Sequence, residues 1–118
     1  MAVQYETDPD HHLVRTTFTG VVTRWDQADY QASLRCNRIF DPAFSELIHF
    51  EMGAEIHLSF MDFRLEDDPF SRASKRAIVA SQPAVYRIAR LFQLARRDDP
   101  NVQIFATTGE AELWLGLG

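Results

Sequence analysis

The segment from residue 75 to residue 97 constrains the fold most, because a short apolar run leads directly into an amphipathic helix. The run at residues 75–80, KRAIVA, is typical of a strand covered on both faces. Ser81 and Pro83 then supply an N-cap and an early-turn proline, and we expect the helix to continue to about Arg97. A strand followed at once by a helix favours an α/β fold with parallel strand pairing.

The rest of the chain continues this alternation. Predicted strands cover residues 3–7, 13–18, 46–52, 75–80 and 102–106. Predicted helices cover residues 24–39, 81–97 and 109–115, and a short helix begins near Ser59 and ends by residues 67–69. The first two strands flank the turn DPDHH and should form a hairpin. We therefore expect one α/β domain over residues 1–118, with a mixed, mostly parallel sheet, an N-terminal hairpin and about four helices. The segment 53–70 is the part that the sequence defines least.

Composition narrows the classes of protein that this chain can belong to. A hydrophobic content of 46% in 118 residues is enough for one packed core. No apolar run reaches the length of a membrane span, and the N-terminus lacks the regions of a signal peptide. The single Cys36 cannot form an internal disulfide, so we expect a reducing cytoplasm. The net charge of −5 argues against general nucleic-acid binding.

Positive charge is concentrated in one acid-free segment, residues 71–97. The whole chain has 12 cations and 17 acids, yet this segment holds seven cations and no acid. Its helix places an apolar stripe on one side, formed by Val85, Ile88, Phe92 and Ala95. The candidate binding residues lie on the other side, namely Tyr86, Arg87, Arg90 and Arg97. This face is either a solvated surface paired with acids of neighbouring elements, or a surface for headgroups, phosphates or an acidic partner.

The first predicted helix presents two candidate apolar faces. We expect its core face to be the stripe formed by Trp25, Ala28, Ala32, Cys36 and Ile39. Tyr30 and Leu34 then project to the far side, one turn apart. They are either ordinary exposed apolar residues or a contact with a partner or a second copy of the chain. This ridge favours a homodimer.

Candidates for chemistry are few. His49 and Glu51 share one face of the predicted strand 46–52, near the end where ligands gather in parallel sheets. They could act as a base and its orienting partner, or His49 could form a local structural hydrogen bond. Nucleophile-elbow, phosphate-loop and dinucleotide motifs do not occur in the sequence. His11 and His12 are adjacent and lack the spacing of a zinc pair, so we expect neither a metal nor a cofactor.

Several short sequence words resemble the SpoIIAA-like family of STAS-related bacterial proteins. They are AIVA at residues 77–80, Tyr86 with the pair Ala89-Arg90, and EAELWL at residues 110–115. The resemblance extends over about residues 3–117 and implies a STAS-like α/β layer fold. Its wider relation to lipid-binding SEC14-type domains implies an apolar or phosphorylated small ligand. The phosphorylated Ser of anti-anti-sigma relatives is missing, because EMGAEIHLS has no Ser before Ser59, and His49 replaces their common Asp.

These observations predict a non-catalytic cytoplasmic binding or regulatory module. It would engage a protein partner or an amphiphilic or anionic small ligand, and peripheral contact with a membrane is compatible with it. The alternative is a small enzyme that uses His49 and Glu51. The sequence identifies neither the ligand, the partner nor the pathway.

Overall fold

The computed structural model describes residues 2–63 and 68–117. Within them the strands are β1 (Val3–Asp8), β2 (Leu13–Phe18), β3 (Val21–Thr23), β4 (Ser45–Phe50), β5 (Glu55–His57), β6 (Arg76–Val79) and β7 (Val102–Phe105). The helices are α1 (Arg24–Cys36), α2 (Pro83–Ala95) and α3 (Thr108–Leu115), and a short 3₁₀-helix covers Phe60–Phe63.

The main sheet has the strand order β1-β2-β4-β6-β7. β1 and β2 form an antiparallel hairpin, and every other neighbouring pair in this sheet is parallel. The prediction of an α/β domain with a mixed, mostly parallel sheet and an N-terminal hairpin is therefore confirmed. β3 and β5 pair separately in parallel, and neither was predicted, because three residues are too few to show a period of two.

The described residues contain three α-helices rather than the predicted four. The predicted helix near Ser59 begins as expected, because the Asp62 carboxylate accepts a hydrogen bond from the Ser59 backbone N–H at 2.7 Å. Only the 3₁₀ turn Phe60–Phe63 follows. The remainder of that predicted helix includes residues 64–67, which lie outside the described residues.

The three helices divide between the two faces of the sheet. α1 and α2 cover one face, where most of the core lies, and α3 covers the other face with a small cluster around Leu47 and Ala111. Side chains of β4 alternate between these faces. Glu46 and Ile48 therefore point toward α1 and α2, while Leu47 and His49 point toward α3.

α2 has the predicted faces but slightly different ends. Val85 and Phe92 are buried, whereas Tyr86 and Arg87 are exposed. The N-cap is Gln82, one residue after the predicted Ser81. The helix stops at Ala95, because the next turn contains left-handed backbone at residues 97 and 98.

The prediction for α1 is wrong, since its two faces are exchanged. Tyr30 and Leu34 are 4% and 0% exposed, whereas Trp25 is 68% exposed. Cys36 and Ile39 are also exposed, and Ile39 lies beyond the end of the helix at Cys36. The buried face of α1 is therefore formed by Tyr30 and Leu34, and not by the five residues of the predicted stripe. Tyr30 can be buried because its hydroxyl has a hydrogen-bonding partner inside the core. The homodimer prediction loses the outward ridge on which it rested.

Candidate functional site

An ion pair lies inside the larger core. Glu46 of β4 and Arg76 of β6 are directly opposite each other in neighbouring parallel strands. They are only 1% and 6% exposed. Arg76 Nε donates to Glu46 Oε1 at 2.7 Å, and Arg76 Nη2 lies 2.6 Å from the same oxygen. Burial of both charges requires such close pairing, because an isolated charge is strongly disfavoured in the core.

Asp68 and Arg96 extend the pair into a cluster of four charges. Asp68 Oδ2 lies 2.5 Å from Arg76 Nη1 and 2.7 Å from Arg96 Nη2. Arg96 Nε also donates to the backbone carbonyl of Phe63 at 3.0 Å. The residue that follows α2 is thereby tied to the 3₁₀-helix. The formal charges of Glu46, Asp68, Arg76 and Arg96 sum to zero.

Two hydroxyl groups contact the second carboxylate oxygen of Glu46, Oε2. The Tyr30 hydroxyl of α1 donates to Glu46 Oε2. The Thr16 hydroxyl of β2 lies 2.7 Å from the phenol oxygen and 3.2 Å from the same carboxylate oxygen. The buried acid is therefore the reason why Tyr30 turns inward, as a buried phenol needs a partner.

The surroundings shift the pKa values of Tyr30, Asp68 and Arg76. Burial, with the adjacent Glu46 carboxylate, raises the pKa of Tyr30 well above its ordinary value, so the phenol remains neutral. Burial favours a neutral Asp68, but Arg76 and Arg96 outweigh it and lower the pKa of that carboxyl. Burial disfavours a charged Arg76, but Glu46 and Asp68 outweigh it and raise the pKa of the guanidinium. Asp68 and Arg76 are thus both charged at neutral pH.

Aromatic rings cover the two guanidinium groups. The Arg76 guanidinium lies 4.2 Å from the ring centroid of Phe70 and 5.3 Å from that of Phe92. The Arg96 guanidinium lies 4.7 Å from the Phe92 centroid. These cation–π contacts shield the cluster from water on the side of α2.

A narrow crevice beside the cluster lies between the sheet and the helices α1 and α2. Its walls are mainly apolar, formed by Phe18, Ile48, Phe50, Phe63, Ile78, Ile88, Ala89 and Phe92. Its polar end is formed by Gln27, Tyr30, Glu46 and Arg76. The volume is about 20 Å³, which is room for about one water molecule. Gln27 Oε1 is buried, and no hydrogen-bond partner lies near it in residues 2–63 and 68–117.

His49 occupies a separate position on the opposite face of the sheet. Its Nε2 lies 3.0 Å from the Thr108 hydroxyl at the start of α3. Partial burial lowers the pKa of His49, and the nearby Arg15 lowers it further, so the imidazole is neutral at pH 7. His49 borders an open hollow of about 420 Å³ together with Arg15 and Thr17.

Glu51 does not share that hollow with His49. It follows the end of β4, is exposed, and lines a different hollow of about 130 Å³ together with Ser81 and Gln82. The strand ends at Phe50, so the predicted common strand face does not extend as far as Glu51. The structure therefore gives His49 a local hydrogen bond with Thr108 and does not place it with Glu51 in one cavity.

The outward face of α2 is partly paired with acid. Arg90 Nη1 lies 2.5 Å from Asp98 Oδ1, and both side chains remain substantially exposed. Tyr86, Arg87 and Arg97 are exposed. Two further cations of the basic segment 71–97, at positions 76 and 96, lie in the buried cluster described above. Much of the charge asymmetry is thus balanced by acids that other segments supply.

Sequence reasoning did not identify the cluster or the crevice. One signal was available, since Glu46 alternates with Ile48 and Phe50 on the inward face of a strand, where a charge requires a buried partner. Asp68, Arg96 and Gln27 gave no comparable signal, because their role depends on contacts between distant segments.

Wider comparisons add no relative from which a role could be transferred. Comparison of the chain with protein-family models, curated proteins and solved structures found no match. In the described part of the chain, no three His, Cys, Asp or Glu side chains are grouped so that they could hold a metal ion. No helix among the described residues has the length and apolar character needed to cross a membrane.

Proposed function

We propose that this protein is a non-catalytic binding module that holds a small amphiphilic ligand in the crevice between the sheet and α2. One observation carries the proposal: apolar walls lead to a buried polar end formed by Tyr30, Glu46 and Arg76. Small-molecule sites commonly combine mainly apolar walls with a few fixed polar groups.

Ligand entry requires part of the wall to move. The crevice of about 20 Å³ accommodates a water molecule but not an alkyl chain. Phe63, Ile88 and Phe92 form the wall on the side of α2 and the 3₁₀-helix. A modest outward shift of α2 would enlarge the space, while the Glu46–Arg76 pair between two sheet strands would stay in place.

The outward face of α2 supports contact with an anionic partner or surface as a second part of this role. Tyr86 and Leu94 are exposed apolar side chains, and Arg87 and Arg97 are exposed cations beside them. Apolar groups interspersed with cations are typical of surfaces that meet anionic partners. A partner on this face and a ligand in the crevice would contact opposite sides of α2, so the two binding events would be coupled.

The family resemblance belongs to the proposal as well. The confirmed α/β domain with a mixed sheet is the coarse architecture that a SpoIIAA-like protein would have. The exposed Cys36 is compatible with action in a reducing cytoplasm. The alternative of a small enzyme has less support, because His49 and Glu51 line different hollows.

The crevice can be tested by filling it. We expect toluene binding to shift the backbone amide NMR signals of Ile48, Ile88 and their neighbours. The variant Ala89→Met places a flexible side chain in the crevice and should abolish those shifts. Ala84→Met, at an exposed position of the same helix, is the matched control and should bind as the wild type does. Unchanged binding by Ala89→Met would contradict the proposal.

A further inference from the structure

We infer that the crevice selects an uncharged ligand that donates a hydrogen bond, and that Gln27 determines this specificity. The inference rests on the proposed function, since it names the chemical class of ligand for the same crevice. Three properties of the lining lead to it: the charge balance, the unpartnered acceptor and the size.

The charge balance disfavours ionic ligands. Glu46 and Arg76 are the charged residues among the described lining, and they neutralise each other. The Nε, Nη1 and Nη2 groups of Arg76 all contact carboxylates of Glu46 or Asp68. A ligand carboxylate or phosphate would have to compete with those acids for the guanidinium. A ligand ammonium would have to compete with Arg76 for Glu46, so either ion would add an uncompensated charge to a buried site.

The unpartnered acceptor favours a donor. Gln27 is one of the residues that line the crevice, and its Oε1 is buried with no hydrogen-bond partner among the described residues. An amide oxygen only accepts hydrogen bonds, so a ligand O–H or N–H would satisfy it, whereas a ketone oxygen would not. Buried acceptors in proteins normally have a partner, so a ligand that donates to Gln27 Oε1 would gain a hydrogen bond that no described residue supplies.

The size and walls restrict the rest of the ligand. The space of about 20 Å³ among Phe18, Ile48 and Ile88 matches a polar head no larger than a water molecule, and a slender apolar body can follow only when the wall moves. The class that fits is an aliphatic alcohol or primary amide, or the uncharged hydroxyl end of a longer amphiphile. The crevice and the basic outward face of α2 therefore recognise different chemistry.

Four six-carbon probes separate these properties: 1-hexanol, 2-hexanone, hexanoate and hexylammonium. Their dissociation constants can be measured by amide NMR titration of the intact protein. We expect 1-hexanol to bind about tenfold more tightly than 2-hexanone, the difference typical of one hydrogen bond to a buried group. Both ions should bind more weakly than the ketone. Hexanoate binding as tightly as 1-hexanol would overturn the inference and leave the proposed function intact.

Variants assign the preference to Gln27. Gln27→Leu removes the acceptor, so the ratio of the alcohol to the ketone dissociation constant should approach one while 1-hexanol still binds. Gln31→Leu, one turn further along α1 and outside the crevice lining, should keep the wild-type ratio. A wild-type ratio in Gln27→Leu would overturn the inference. If Gln27→Leu does not fold, the ranking of the four probes on wild-type protein decides. If all four probes fail to bind the wild type, the proposed function and the inference both fail.

Discussion

Arg76 and Arg90 come from the same acid-free segment, yet the fold gives them opposite surroundings. Arg76 is enclosed with Glu46 and Asp68, whereas Arg90 meets Asp98 at the surface, where the two side chains are 42% and 59% exposed. Both have acidic partners from outside residues 71–97. Part of the positive charge of this segment is therefore neutralised by acids from other segments, and part of it lies on the candidate binding face.

The two pairs should differ greatly in what their removal costs. A buried ion pair has already lost its hydration, so removal of one partner leaves an uncompensated charge and costs about 3–5 kcal/mol. An exposed pair exchanges its partner for water and contributes about 0.2–1 kcal/mol. The predictions below test this difference from its largest to its smallest expected effect.

The largest effect should come from Arg76→Met. This change leaves Glu46 without its buried cation, and we expect the free energy of unfolding to fall by about 3–5 kcal/mol in urea denaturation. The double variant Arg76→Met with Glu46→Gln removes both members of the pair and should recover part of that loss. A loss below about 1 kcal/mol would show that the buried pair behaves like a surface pair.

An intermediate effect should appear in the acid dependence of stability. The pKa of Asp68 is lower in the folded protein than in the unfolded chain, so the unfolded chain takes up the proton first as the pH falls. The stabilisation is complete above the ordinary Asp pKa and is lost as the pH falls through the folded-state value. Asp68→Asn should remove this component. The slope of the unfolding free energy against pH, measured in acid, should then fall by at most about 1.4 kcal/mol per pH unit.

The exposed Asp98 provides the control for that measurement. Asp98→Asn removes an exposed carboxylate whose pair with Arg90 contributes about 0.2–1 kcal/mol, so it should change the stability far less than Asp68→Asn does. The measurement is a series of urea unfolding curves below about pH 5, where carboxylates begin to protonate in unfolded chains. Equal slopes for wild type and Asp68→Asn would contradict the role assigned to the buried carboxylate.

The smallest effect should come from Arg90→Ala. We expect a loss of about 0.2–1 kcal/mol in the free energy of unfolding, because the pair with Asp98 is exposed. The difference from wild type should shrink in about 1 M salt, which screens surface charges. A loss as large as that of Arg76→Met would remove the distinction between the two environments.

The sequence predicted α2 better than α1 for a physical reason. The inner face of α2 contains large apolar side chains at helical spacing, such as Val85 and Phe92, and this spacing alone predicts a buried face. The inner face of α1 depends on Tyr30, whose burial requires the Glu46 carboxylate. A helix whose orientation depends on a polar partner elsewhere in the chain cannot be oriented from its own residues.

The residues of the candidate site could likewise be predicted from the sequence only in part. The inward position of Glu46 could be predicted from the alternation in β4, and that of Arg76 from its place in a buried strand. The contribution of Asp68 could not, since it lies in the segment 53–70 that the sequence left undefined. Gln27 is an ordinary polar helix residue in the sequence, and its importance arises only from the missing partner of its Oε1.

The bond between Arg96 and the Phe63 carbonyl has a consequence for how the domain comes apart. If α2 detached first, Arg96 would leave Asp68, and Phe92 would uncover the Arg76 guanidinium. Water would then reach a polar network whose members lie on three strands of the sheet, on α1 and directly after α2. Complete detachment of α2, unlike the modest shift that would admit a ligand, should therefore cost almost as much as opening the whole core. The domain should unfold as one cooperative unit, and amide hydrogens of α2 should exchange as slowly as those of β4 and β6.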